Sequence, residues 1–302
     1  MTFRRGAVLG AMALGALTSG GAYLAYTALT TTAPTRAGLA YGEASSRQVL
    51  DLYLPEGAAV APPVVLWVHG GAFMMGDKSD PQSLDALLGA GFAVASMNYR
   101  LSSEALWPAQ LEDVTAAYRF LRGQAADIGI DPDRIALFGA SAGGFLVSTA
   151  GITLTAAGEA PVAVVDWFGP VQFSTMDADM EASGVARSTG RNDAADSPES
   201  ALIGVPVGEN RDLADSIGPL AEIARLPAGV TLPPFLILHG GVDTYVAPAQ
   251  SERLRDAIAA SPANGGVEYV LLPDGGHGSG AFATEAATDR VLAFLRERFD
   301  PR

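Results

Sequence analysis

Ser141 stands in Gly139-Ala140-Ser141-Ala142-Gly143, just after the apolar run 135–138 and just before a helix-forming run. A polar residue there adds nothing to a core. The spacing is G-x-S-x-G, and between a strand and a helix it forces a sharp turn that presents the hydroxyl; Ala140, Ala142 and Gly144 supply the small neighbours such a turn needs. A serine hydroxyl is a weak nucleophile and needs a base. The chain has three histidines, His69, His239 and His277, and each lies in a glycine-rich loop after an apolar run. His277, in "LPDGGHGSG", falls between the last strand and the last helix, in a loop that can reach over Ser141. Asp243, in "HGGVDTYVAP", is placed to fix the tautomer of such a base and to stabilise its charged form. Asp274 reads as a turn residue in the same loop as His277, and Asp166, at a strand end, stays open as a second acid. His69 and His239 read as braces of their own loops. The stretch "HGGAF" (69–73) offers main-chain donors for a developing oxyanion, with Gly71 and Ala72 N–H on one side and Ala142 N–H on the other. Nucleophile, base, orienting carboxylate and oxyanion donors together are the parts of an acyl transfer. The HxxxH-type spacing of zinc sites is absent, so neither a metal nor an organic cofactor is expected.

These loops need a scaffold that brings them to one edge. From about Gly38 the chain alternates strand-like and helix-like segments. Strands are expected in 49–55, 62–68, 91–99, 133–139, 161–169, 232–241 and 267–273; the first alternates apolar and polar residues and reads as half-exposed. Helices are expected in 108–129, from 142 onward, in 249–260 and in 289–299. On the first of these Leu111, Val114, Ala117, Tyr118 and Leu121 share a face. Such alternation implies an α/β fold, a mostly parallel sheet with helices on both faces, whose ligands bind beyond the carboxyl ends of the strands. "HGG", "GASAGG", "HGGVD" and "DGGHG" all fall on that edge. The polar stretch 174–204 has no periodicity and reads as a lid or ordered loop.

With 302 residues, 49% hydrophobic and 17% charged, the chain can bury a sizeable core. The net charge of −14 repels phosphate backbones and excludes nucleic acid as a partner. The absence of cysteine removes disulfides and thiolate chemistry. Residues 1–36 carry Arg4 and Arg5 ahead of an apolar stretch, 6–29, that is long enough to cross a bilayer. They are expected to be a signal peptide or a membrane anchor. The domain 37–302 is then exported across the cytoplasmic membrane, and secreted, periplasmic or attached through the N-terminal helix.

The stretches "VVLWVHGGAFMMGDKSD", "GIDPDRIALFGASAGGFL", "VVDWFGP", "PPFLILHGGVDTYVAPAQSERL" and "LPDGGHG" resemble the α/β-hydrolase superfamily. More narrowly, the likeness is to hormone-sensitive-lipase-like carboxylesterases and their bifunctional feruloyl and acetyl-xylan esterase branch, from about Val49 to Phe299. The resemblance implies a sheet of about eight strands and a Ser141–His277–Asp243 triad. It also implies hydrolysis, through an acyl-enzyme, of small-molecule or carbohydrate esters with short acyl groups, acetylated or feruloylated carbohydrate among them. Two positions depart from the family pattern: Ala72 stands where glycine is usual, and Gln172 where an aspartate is frequent. Amide cleavage of the formamidase or prolyl-oligopeptidase type is the alternative chemistry, although Phe73 replaces the tryptophan that formamidases favour. A catalytically silent binding protein is the other alternative.

Overall fold

The structure, a computed structural model, describes residues 32–79 and 81–300. One eight-stranded sheet runs through it, in the order β1-β2-β4-β3-β5-β6-β7-β8. The strands are β1 (Arg36–Ala40), β2 (Val49–Tyr53), β3 (Val64–Val68), β4 (Ala93–Met97), β5 (Ile135–Ala140), β6 (Val164–Trp167), β7 (Phe235–Gly240) and β8 (Val267–Leu272). β1 and β2 are antiparallel to their neighbours, and every other pairing is parallel. β3 and β5, at the centre, are continuous apolar runs because both of their faces are covered.

Alternate residues of the central strands enter two cores. Val64, Leu66 and Val68 of β3 pack with α2 (Ala109–Ile128), α3 (Ala142–Ala156) and α8 (Pro248–Ala260). Val65 and Trp67 pack on the other face, with α1 (Leu84–Gly89) and α9 (Glu285–Phe299). The expected face of α2, with Val114, Ala117, Tyr118 and Leu121, is the one it buries. Gly129, in the left-handed region, ends that helix.

The register levels the functional loops. Val68 of β3 pairs with Gly139 of β5, so the His69 loop and Ser141 leave the sheet side by side. Gly240 of β7 pairs with Leu272 of β8, which does the same for the loops of Asp243 and His277.

Three features differ from the sequence reading. β1 has no apolar alternation to announce it; it is an edge strand that pairs with β2, with an irregular register between Arg36 and Leu39. β2 is buried rather than half-exposed, because its polar residue, Asp51, is turned inward onto Lys78 Nζ at 2.7 Å and the Gly38 N–H at 2.7 Å. The stretch 174–204 is not a plain loop: it contains α4 (Met176–Ser183) and α5 (Pro198–Ile203), followed by α6 (Arg211–Asp215) and α7 (Pro219–Ala224). These helices have one or two turns, too short for a 3.6-residue period to show in the sequence. The N-terminal segment, as far as residue 31, lies outside the described residues. Among the described residues no helix is long and apolar enough to cross a membrane.

Candidate active site

The turn between β5 and α3 carries Ser141 at φ 57° and ψ −122°. A non-glycine residue there costs on the order of 1–3 kcal/mol and persists only where its surroundings enforce it. The Ser141 N–H donates to the Trp167 carbonyl at 2.8 Å, and the Phe145 N–H closes the first helical turn on the Ser141 carbonyl at 3.1 Å. The two glycines of the motif are set by contact. A Cβ on Gly139 would lie 2.3 Å from the Gly143 carbonyl oxygen, and one on Gly143 would lie 2.1 Å from that of Val68. The G-x-S-x-G spacing therefore records where main chains touch.

Ser141 Oγ lies 2.8 Å from His277 Nε2, and His277 Nδ1 lies 2.7 Å from Asp243 Oδ2. Burial opposes a charge on Asp243, but His277, together with His239, holds its carboxyl well below the usual carboxylate range. An ionised Asp243 can only accept, so His277 Nδ1 carries the proton and Nε2 is left to accept from the serine hydroxyl. The other oxygen, Oδ1, is fixed by the N–H groups of Tyr245 (2.8 Å) and Val246 (3.0 Å). The loops that carry the acid and the imidazole are joined main chain to main chain: Gly241 N–H donates to Leu272, and Val242 N–H to Gly275.

The remaining histidines and acids fall elsewhere. His239 is fully buried; its Nε2–H donates to the Val246 carbonyl at 2.9 Å and its Nδ1 accepts from Ser251 at 2.6 Å, which braces the acid loop. Its Nε2 stands 3.5 Å from Asp243 Oδ2. Asp166 bonds Ser148 Oγ and the Gly169 N–H beneath α3, and meets no histidine within hydrogen-bond range. Burial pushes its carboxyl above the ordinary value. Among the described residues no group of three or more histidines and acids could hold a metal.

Gly71 and Ala72 lie in a loop of three successive positive-φ residues, Gly71 (108°), Ala72 (54°) and Phe73 (61°). The loop closes on itself through the Gly71 carbonyl, which accepts from Met74 and Met75 N–H at 3.0 Å each. It abuts the serine: a Cβ on Gly70 would fall 3.1 Å from Ser141 Cβ. Ala142 N–H opens the first turn of α3, where no intrahelical acceptor exists, and the Ser141 side chain does not cap it.

Sequence reasoning missed the residues that hold the imidazole from its sides. Phe168 and Tyr245 flank the His277 ring at centroid distances of 4.5 and 5.0 Å. Phe168 takes φ 44° to do so, and Phe282 of the His277 loop packs edge-on against it at 4.7 Å. The signals were faint: a tyrosine two residues past Asp243, and an aromatic at a strand end that reads as core.

The helical insertion reaches the site through Ser188, whose N–H and hydroxyl bond the carbonyl and hydroxyl of Thr244, the neighbour of Asp243, at 2.9 and 2.8 Å. Asp177 organises this insertion by accepting from the N–H groups of Asn192 and Asp193 and pairing with Arg187. Beside it Glu199 is buried, and burial, reinforced by the Asp177 charge, pushes its carboxyl up to about 7. The folded state thus keeps a proton that the unfolded chain releases from about pH 4.5 upward. Glu199 costs no stability below that value, and its penalty grows to about 3 kcal/mol as pH rises to about 7. Glu199→Gln is expected to remove this slope and raise the melting temperature at pH 8 but not at pH 4.5. Thermal unfolding at the two pH values checks it.

The comparisons agree with this architecture. Residues 50–258 match the BD-FAE family. Among curated proteins, Esterase LipC of Mycobacterium tuberculosis is 28% identical over 79% of this chain, which spans 58% of the length of that relative. A truncated carbohydrate esterase from gut microbiota superposes with a TM-score of 0.75 at 31% identity, over 90% of this chain and 99% of its own. A bifunctional GH43-CE protein of Bacteroides eggerthii gives a TM-score of 0.73 at 29% identity, over 88% of this chain and 38% of its own. With its eight-stranded, mostly parallel sheet and helices on both faces, the chain belongs to the BD-FAE family, within the hormone-sensitive-lipase-like branch of the α/β hydrolases.

Proposed function

We propose that the protein is a serine carboxylic-ester hydrolase acting through an acyl-enzyme on short-acyl esters, with acetylated or feruloylated carbohydrate as the substrate class. The observation that carries this reading is the hydrogen-bonded chain from Ser141 through His277 to Asp243. Ser141 Oγ attacks the ester carbonyl carbon while its proton passes to His277 Nε2. The carbonyl oxygen takes the negative charge and is held by N–H groups of Gly71, Ala72 and Ala142. Collapse of this intermediate breaks the bond to the alcohol oxygen, which leaves with the proton from His277. Water then gives a proton to His277 and adds to the acyl carbon. The bond to Oγ breaks, the serine recovers its proton, and the carboxylic acid departs. Asp243 stays ionised throughout and orients the ring. No step calls on a metal or an organic cofactor.

The carbohydrate side of the proposal leans on the structural relative described as a carbohydrate esterase. Attachment to a membrane, and export, are proposed on the leading segment alone. The testing experiment is a panel of acyl esters from acetyl to decanoyl with acetylated xylan and methyl ferulate, run beside anilides of the same acyl groups. Preference for short esters over anilides is expected, with activity unchanged by chelator. Faster anilide cleavage would assign the site to amide chemistry.

A further inference from the structure

We infer that Arg47 is the positioning residue of the oxyanion loop. It precedes the family-matched region, and its role rests on the ester-hydrolase reading above. The loop 70–76 is strained by its positive-φ run and closes around the ring of His69: a Cβ on Gly76 would stand 2.3 Å from His69 Nδ1. His69 Nδ1–H donates to the Gly70 carbonyl at 2.7 Å, so Nε2 must be an acceptor. The group facing it is Arg47 Nη2, at 3.4 Å. The same nitrogen donates to the Gly76 carbonyl at 2.9 Å, and Arg47 Nε donates to the Tyr99 carbonyl at 2.8 Å. Tyr99 completes the clamp. Its ring stacks on His69 at 4.4 Å, and its hydroxyl donates to the His69 carbonyl at 3.2 Å. One guanidinium thereby ties the far end of the loop, Gly76, to the imidazole that supports its near end, Gly70. Glu104, 3.7 Å from Arg47 Nε, balances the charge. Burial, aided by the Arg47 charge, lowers His69 to about 4, so the ring stays neutral and keeps its acceptor at neutral pH. None of the clamp's hydrogen bonds goes to Ser141, His277 or Asp243; they end on Gly70, Gly76, His69 and Tyr99, in and beside the oxyanion loop.

The test compares Arg47→Ala, Arg47→Lys and the parent protein on p-nitrophenyl acetate and on methyl trifluoromethyl ketone, whose hemiketal adduct with Ser141 carries an oxyanion. A loop displaced by about 1 Å costs on the order of 10²-fold in rate. Arg47→Ala is therefore expected to lower kcat by about that factor and weaken the ketone in proportion, with KM changed less than about threefold. Arg47→Lys is expected to fall between the two, and added methylguanidine to restore part of the alanine variant's rate. Unchanged kcat in Arg47→Ala would overturn the assignment, as would a loss confined to KM. If the alanine variant does not fold, Arg47→Lys decides, since parent-like kcat and ketone affinity there would also overturn it. A parent protein that neither hydrolyses the ester nor binds the ketone would instead sink the ester-hydrolase reading. The imidazole nitrogen resonances of His69 would then decide on Arg47. A shift of Nε2 in the variants supports the clamp, and an unmoved Nε2 excludes it.

Discussion

Replacing Ser141 with alanine is expected to lower kcat on p-nitrophenyl acetate by about 10⁴-fold or more, the loss usual when a nucleophile of this kind is removed. The reasoning is local. The substitution deletes the oxygen that faces His277 Nε2 at 2.8 Å and leaves the rest of the turn in place. The bond from the residue 141 N–H to the Trp167 carbonyl belongs to the main chain and survives, as does the helical bond from Phe145. Alanine bears the left-handed backbone no worse than serine, so the melting temperature should move by no more than a few degrees. The oxyanion donors and the substrate-binding surface remain, so KM should change little. Steady-state kinetics and thermal unfolding on the same preparations check the split. Activity equal to that of the parent protein would end the acyl-enzyme account.

Asp243→Asn is expected to be nearly as costly, about 10⁴-fold in kcat, for a different reason. Oδ1 of Asp243 accepts two main-chain N–H groups, from Tyr245 and Val246. An asparagine must put its carbonyl oxygen there, which turns its NH₂ toward His277 Nδ1, at the 2.7 Å contact. Two donors cannot share that contact, so the imidazole is driven to carry its proton on Nε2. That proton then faces Ser141, where a lone pair is needed. The acid loop should hold its shape, since His239 still bonds Val246 and Ser251. A kcat within about tenfold of the parent protein would show that Asp243 does not set the tautomer.

How much of this was legible in the sequence depends on whether the cause was local. Gly139 and Gly143 are readable because close main-chain contact forbids a Cβ at either, and the strand before them and the helix after them have clear patterns. Asp243 and His277 are readable because strand alternation sends each of their loops to one edge; the level ends of β7 and β8, seen only in the structure, then set the two loops side by side. Seven of the eight strands are legible as apolar or alternating runs, β3 and β5 most plainly; the count of about eight came from the family resemblance, and β1 has no such pattern. Arg47 could not be found in this way. Its partners, His69, Gly76 and Tyr99, come from other segments, and nothing in the spacing around residue 47 points to them. Phe168 looks like one more core aromatic until its φ of 44° and its contact with His277 are seen. The insertion helices are short and rest on side-chain bonds such as those of Asp177, so no periodic pattern announces them.

The most direct measurement is covalent labelling of the folded protein with a fluorophosphonate, followed by peptide mass mapping. Such a reagent reacts with a serine whose proton is being withdrawn by an adjacent base. One label per chain, on the peptide containing Ser141 and lost on His277→Ala, is the predicted result. Folded protein that stays unlabelled, or that carries the label at another residue, would contradict the account.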